Sequence, residues 1–231
     1  MTASCILPPA RFAAARAVLF DLDGTLIDSA PDLAEALQIL RRARQLDELP
    51  YSQLRPHAGA GARGLLGAGM GVRPGDEAFE SLRQEFLDAY ERIMLERTQP
   101  FAQVPQLLER VVQSGMVWGI VTNKLSRFAL PVVKHFACLA SADAVVAGDT
   151  TPYAKPHPAP LLEAARRLNL EAFQCIYVGD DARDVQAGRA AGMPTVAACY
   201  GYLGVGEQPA DWGADVCIEQ PLELLQFLPL P

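Results

Sequence analysis

The stretch Val18-Leu19-Phe20-Asp21-Leu22-Asp23-Gly24-Thr25 constrains the fold more than any other part of this chain, because it runs an apolar segment into two carboxylates. β-Formers ending at Asp21 and followed by Gly24 predict a buried strand that opens into a tight loop. In open α/β sheets that is where ligands bind, at the carboxyl ends of the strands. Residues two apart on an extended chain point the same way, so Asp21 and Asp23 converge on one centre if extended geometry persists that far. Two facing anions then need a cation or a proton. Taken alone, Asp-x-Asp-Gly-Thr is equally well an ordinary turn, and the rest of the chain has to decide.

After this strand, Pro31-Asp32 opens a helical pattern with Leu33, Leu37, Leu40 and Ala43 on one face. The segment Pro56 to Leu66 is a glycine-rich entry into a short helix with Arg63 in its first turn. Phe79, Leu82, Phe86, Tyr90 and Ile93 mark a further amphipathic helix, so residues 31–98 read as helical throughout. Beyond Pro100 strands alternate with helices, the signature of a parallel sheet covered on both faces. Val117 to Val121 is a strand ending in Thr122-Asn123-Lys124. A helix follows over 126–137, then a short strand at 144–146. Lys155-Pro156 precedes a helix carrying Leu161, Leu162, Ala165 and Leu168, and Cys175 to Val178 is a strand ending in Gly179-Asp180-Asp181. Thr195 to Ala198 adds another, and Val216 to Ile218 an edge. The expected architecture is a doubly wound, Rossmann-like α/β core over 17–30 and 101–231, with a helical cap inserted over 31–100 and a frayed leader over 1–16.

The 231 residues, 50% of them hydrophobic, are enough for a sizeable core. A net charge of -7 with no basic stripe argues against nucleic-acid or anionic-membrane partners and for a small-molecule one. No membrane span or signal-peptide core is visible. Cys5, Cys138, Cys175, Cys199 and Cys217 form no Cys-x-x-Cys pair, which predicts reduced, buried thiols and a cytoplasmic protein. His57, His135 and His157 are too scattered for a metal site.

The polar strand ends carry the chemistry. Asp21 and Asp23 on the first strand, Thr122 on the next, and Asp180, Asp181 and Asp184 after a later one call for a hard divalent cation with oxygen ligands, such as Mg²⁺. Thr122 and Lys155 offer donors to an anion, so the constellation reads as a phosphoryl-transfer site. Singly, Thr122 is a strand-end hydroxyl and Lys155 a solvated loop charge, Asp181 a helix cap and Asp184 a partner of the helix dipole. Their order and spacing favour the functional reading.

In that order these stretches resemble the four motifs of the haloacid dehalogenase superfamily of Mg²⁺-dependent phosphatases, over nearly the whole chain. With a helical cap between the first two motifs, the chain is similar to the phosphoglycolate phosphatase group. Trp118 to Lys124 and Trp212-Gly213-Ala214-Asp215 also resemble the branch acting on N-acetylmuramic acid 6-phosphate. The resemblance implies that Asp21 is the nucleophile that becomes an aspartyl phosphate, and that Asp23 is general acid to the leaving group and base to water. It implies Mg²⁺ held by Asp21, Asp180 and the main-chain carbonyl of Asp23, with Asp184 and Asp181 orienting the metal shell. Thr122, Asn123 and Lys155 would bind phosphoryl oxygens. Apart from the resemblance, the glycine-rich turn and guanidinium of Gly59 to Arg63 favour a carboxylate or second anionic group on the substrate, or equally form a plain helix-entry loop with an exposed arginine.

Rival readings separate unequally. A receiver domain places its acids on separate strands and lacks a cap, and a dehalogenase needs no acid two residues after its nucleophile. A sugar phosphomutase shares all four motifs and the cap, and a non-catalytic phosphate-binding regulatory module also stays open. So does the choice between monomer and homodimer.

Overall fold

A computed structural model describes residues 10–229. Its centre is strand β1 (Ala17–Phe20), buried at all four positions as a strand covered on both faces must be. The chain then makes a short strand, β2 (Ile27–Asp28), and enters helix α1 (Ala30–Ala43), the short α2 (Tyr51–Leu54), a 3₁₀ turn (Arg55–Ala60), α3 (Gly61–Met70) and α4 (Phe79–Ile93). It returns through β3 (Gln99–Pro100), which pairs antiparallel with β2. The inserted helices thus hang from a two-stranded neck placed directly after the acidic loop.

The remainder alternates: α5 (Val104–Gln113), β4 (Val117–Val121), α6 (Ser126–His135), β5 (Ala144–Val146), α7 (Ala159–Arg167), β6 (Cys175–Gly179), α8 (Ala182–Ala191), β7 (Thr195–Ala198) and β8 (Val216–Ile218). The six-stranded sheet runs β5-β4-β1-β6-β7-β8, parallel throughout. β1 lies between β4 and β6, where the winding changes direction, and the crevice at such a switch point is the expected place for a ligand. Phe20 and Trp118 meet edge to face at 6.2 Å across β1 and β4 and anchor the core on one side of the sheet. Leu37, Leu65, Leu66 and Phe86 form a separate apolar cluster among the inserted helices, and Tyr202 from the sheet domain joins it.

Three expectations need correction. The leader does not fray over its last residues, because Phe12 is fully buried against the ring of Phe227 and Arg11 pairs with Asp215 at 2.8 Å. The first nine residues, with Cys5, lie outside those described. The thiols are free, yet among the four described only Cys175 is buried, while Cys138 and Cys199 are half-buried and Cys217 is exposed on the edge strand. The apolar helical pattern also takes in two residues, Ala43 and Leu162, that face solvent. Among the described residues no helix is long and apolar enough to cross a membrane.

Candidate active site

Asp21 follows β1 by one residue and keeps its register, its N–H donating to Val178 O at 2.9 Å. The loop then folds sharply: Gly24 N–H reaches Ile27 O at 2.9 Å, and Gly24 adopts φ 87°. That position tolerates only glycine for a second reason, since a Cβ there would lie 2.1 Å from Asp180 Oδ2. The other side of Asp180 is as close, where a Cβ at Gly201 would lie 2.2 Å from Asp180 Cβ. The acidic loop of β1 and the end of β6 are therefore pressed together without side chains between them.

This brings carboxylate oxygens of Asp21, Asp180 and Asp184 within 4.8 Å of one another. Asp180 is held by Thr25 Oγ1 at 2.9 Å and by the Tyr202 N–H at 2.8 Å. Lys155 enters from the loop before α7, its side chain 2% exposed, and its ammonium lies 2.9 Å from Asp21 and 2.7 Å from Asp184. It donates as well to Val121 O and to the Tyr177 hydroxyl. Burial pushes the Asp21 carboxyl up to about 6, with Lys155 opposing and Asp184 and Asp23 adding to the rise. Burial also lifts Asp180 well above the usual carboxylate range, with Asp21 and Asp184 reinforcing it. Three clustered carboxylates around one ammonium are short of positive charge. The donor set is all oxygen, rigidly held and electron-rich, which suits a hard divalent cation.

Asp23 stands apart from this group. Its carboxylate takes Lys124 Nζ at 2.9 and 3.2 Å and the hydroxyl of Ser29, so it contributes no side-chain oxygen to the three-carboxylate cluster. Lys124 is nearly buried and donates also to the hydroxyl of Tyr90, on α4, at 2.8 Å. Burial works against its charge, but Asp23 and Tyr90 beside it raise its pKa above the ordinary lysine value.

The other expected residues fall as follows. Thr122 ends β4, buried, its Oγ1 accepting the Lys124 N–H at 3.1 Å and keeping its own proton for an anion. Asn123 is a bracket: its amide donates to Lys155 O at 3.0 Å and accepts from Lys155 N at 2.9 Å, so both ends hold the lysine loop in place. Asp181 caps α8, with its carboxylate on the Arg183 N–H and guanidinium. Burial opposes its charge, and Arg183 nevertheless draws its pKa below the ordinary value. Arg183 reaches on to Gly59 O in the inserted segment at 2.7 Å. Arg63 lines the cavity from the first turn of α3, exposed and in no ion pair among the described residues.

A cavity of about 300 Å³ lies between the strand ends and the inserted helices. Asp21, Thr122 and Lys155 form its floor, and Leu33, Phe86 and Phe128 belong to its apolar wall. The two tryptophans that carry part of the sequence resemblance do not line it: Trp118 is fully buried in the sheet core, and Trp212 packs with Val185 and Ala197. Sequence reasoning missed Lys124, Ser29, Tyr90, Tyr177, Arg183 and Tyr202. Only Lys124 had a local signal, two residues beyond Thr122 and so on the same side of extended chain.

The profile of haloacid dehalogenase-like hydrolases matches residues 18–198. The chain is 44% identical over 209 residues to a phosphoglycolate phosphatase of Xanthomonas campestris pv. campestris, covering 90% of this chain and 94% of that one. It is 38% identical over 213 residues to an N-acetylmuramic acid 6-phosphate phosphatase of Pseudomonas aeruginosa, covering 92% and 94%. A predicted phosphoglycolate phosphatase from Haemophilus somnus, solved by crystallography, shares the fold with a TM-score of 0.81 at 24% identity, over 92% of this chain and 97% of that one. With sheet order, strand-end carboxylates and sequence all in agreement, this chain belongs to the haloacid dehalogenase-like hydrolases.

Proposed function

We propose that the chain hydrolyses phosphomonoesters by passing the phosphoryl group through Asp21, and that its substrate is a small phosphorylated acid, 2-phosphoglycolate before others. The observation that carries the reading is the position of Asp21. One of its oxygens is held by the Leu22 N–H at 2.7 Å and by Lys155 at 2.9 Å, and its carboxylate forms part of the cavity floor. A carboxylate fixed on one oxygen presents the other for attack, and the acyl phosphate it forms is hydrolysed readily.

Lys155 and Thr122 neutralise and orient the phosphoryl oxygens. Asp21, Asp180 and Asp184 would hold Mg²⁺, which when bound supplies charge neutralisation to the phosphoryl group. Asp23 delivers a proton to the departing alkoxide and later takes one from water, so the proton ends on the alcohol and the phosphoryl group on Asp21 until water releases it. Lys124, now paired with Asp23, is the group an incoming anion would draw away. Arg63 takes the carboxylate of the substrate at the mouth of the cavity. The inserted helices act as the cap that excludes water during the transfer.

A second substrate, N-acetylmuramic acid 6-phosphate, is favoured by one specific observation. The cavity of about 300 Å³ has room for more than a two-carbon acid, and its wall includes apolar side chains suited to a sugar ring and its lactyl group. Phosphate release from both esters, with and without Mg²⁺, tests the reading, with Asp21→Asn as the control. Metal-dependent release lost in a folded Asp21→Asn protein supports it, by a factor of about 10⁶ or about 8 kcal/mol of barrier. Release that survives the substitution removes the covalent route, and the ratio of kcat/KM between the two esters assigns the substrate.

A further inference from the structure

Helix α1 begins with an unusual division of labour. Ser29 occupies its N-cap position, where a serine hydroxyl ordinarily accepts an N–H of the first helical turn, but it makes no such bond. The hydroxyl is turned onto the carboxylate of Asp23 instead. The N–H groups at the helix start still need an acceptor, because they are buried and unpaired within the helix. The Ser29 N–H donates to Tyr202 Oη, far along the chain, at 2.7 Å, and the Ala30 N–H to the same oxygen at 3.0 Å and to Asp28 Oδ1 at 3.2 Å. The same phenol oxygen lies 3.3 Å from Ser29 Oγ.

Tyr202 is built for this place. It is 4% exposed, its ring lies within the apolar cluster of the inserted helices, and the Arg55 guanidinium covers it at 5.1 Å from the ring centre. Its own backbone N–H holds Asp180 at 2.8 Å. One residue therefore touches a carboxylate of the proposed metal cluster through its main chain, and the neck of the inserted helices through its side chain.

We infer that Tyr202 is a positioning residue for Asp23: its phenol oxygen holds the Ser29 N–H and lies against Ser29 Oγ, and so fixes Ser29 where its hydroxyl holds Asp23 for a leaving group that needs its proton. This rests on the phosphatase reading above for its kinetic consequence, though not for its geometry. Replacing the phenol by a phenyl group removes its contacts with the Ser29 N–H and Ser29 Oγ while the ring and the backbone bond to Asp180 remain. Ser29 then loses the contact that fixes it, its hydroxyl leaves the carboxylate, and Asp23 is left to Lys124 alone.

The test compares wild type, Tyr202→Phe, Ser29→Ala and the double variant. The esters are 2-phosphoglycolate or N-acetylmuramic acid 6-phosphate, whichever wild type turns over, and p-nitrophenyl phosphate. A general acid matters for an alkoxide and little for a nitrophenolate. Tyr202→Phe is therefore expected to lower kcat on the alkyl ester about tenfold, part of the roughly 10²–10⁴ a general acid supplies, and to stay within about twofold on the aryl ester. The double variant should be no slower than Ser29→Ala, and the Mg²⁺ concentration for half-maximal rate should not move. Equal losses on both esters, no loss on either, or additive losses in the double variant would overturn the inference. A crystal structure of Tyr202→Phe decides the geometry independently of turnover. Ser29 Oγ moved off Asp23 supports the positioning role, and Ser29 Oγ still on Asp23 refutes it. If wild type cleaves neither ester, the phosphatase reading falls, and that structure still settles the role of Tyr202.

Discussion

Lys155 touches two of the three clustered carboxylates with its side chain 2% exposed, so its charge is what allows them to be buried together. Removing one partner of a buried ion pair costs roughly 3–5 kcal/mol because the other charge is left unpaired. Lys155→Met is expected to lose turnover and to lower Tm, with part of the lost Tm restored by Mg²⁺, which thermal melting with and without the metal measures. A melting curve matching wild type in both conditions would show that the ammonium is not what stabilises the cluster. At this scale the sequence was legible where residues sit at strand ends. Asp21, Thr122 and Asp180 could be found because an apolar run stops at or just before each, and Asp184 because it lies in the first turn of the helix that follows Asp181. The partners of those residues were not legible. Nothing near Lys124 indicates that it meets Asp23, 101 residues away in sequence, and nothing near Tyr202 indicates a phenol folded under a helix 173 residues earlier. Such contacts depend on how parallel strands bring distant loops together, which periodicity does not encode.

Among the elements, the long helices announced themselves by their apolar spacing. The two-residue strands of the neck did not, because β2 and β3 are too short to show alternation. The inserted segment makes side-chain contact with the sheet domain at the site on two sides, through Tyr90 to Lys124 and through Arg183 to Gly59. Between these contacts the glycine-rich turn and the start of α3 carry Arg63 on the cavity rim. Arg63→Ala is expected to raise KM for an acid-bearing ester about tenfold or more, matching the roughly 1.5–3 kcal/mol of a lost charge-assisted bond, while a neutral aryl phosphate is nearly unaffected. Equal changes in KM on both substrates would make Arg63 a structural residue of the helix start. The tryptophans of the sequence resemblance give no comparable handle on specificity, since both pack away from the cavity.

For the molecule as a whole, the acidic cluster ties stability to pH and to metal together. The Asp21 carboxyl is raised from 3.8 to about 6, burial being the main cause, and Asp180 is raised well above its ordinary value for the same reason. The folded protein therefore keeps protons on these groups that the unfolded chain has already released. Their contribution to the unfolding free energy falls as pH rises from near 4, for Asp21 through about 6, the reverse of a salt-bridged carboxylate. A divalent cation takes the place of those protons and binds only the deprotonated cluster, so it restores at neutral pH what ionisation removes. The increase in Tm produced by Mg²⁺ is expected to be larger at about pH 7.5 than at about pH 5, each kcal/mol appearing as roughly 2–4 °C for a chain of this size. Asp180→Asn isolates the effect from other titrating groups. The amide keeps the shape and removes a charge that burial penalises, so the metal-free protein should melt higher than wild type at about pH 7.5 and should lose most of the Mg²⁺ increment. An increment that is independent of pH, or one that Asp180→Asn leaves intact, would place the metal somewhere other than among Asp21, Asp180 and Asp184.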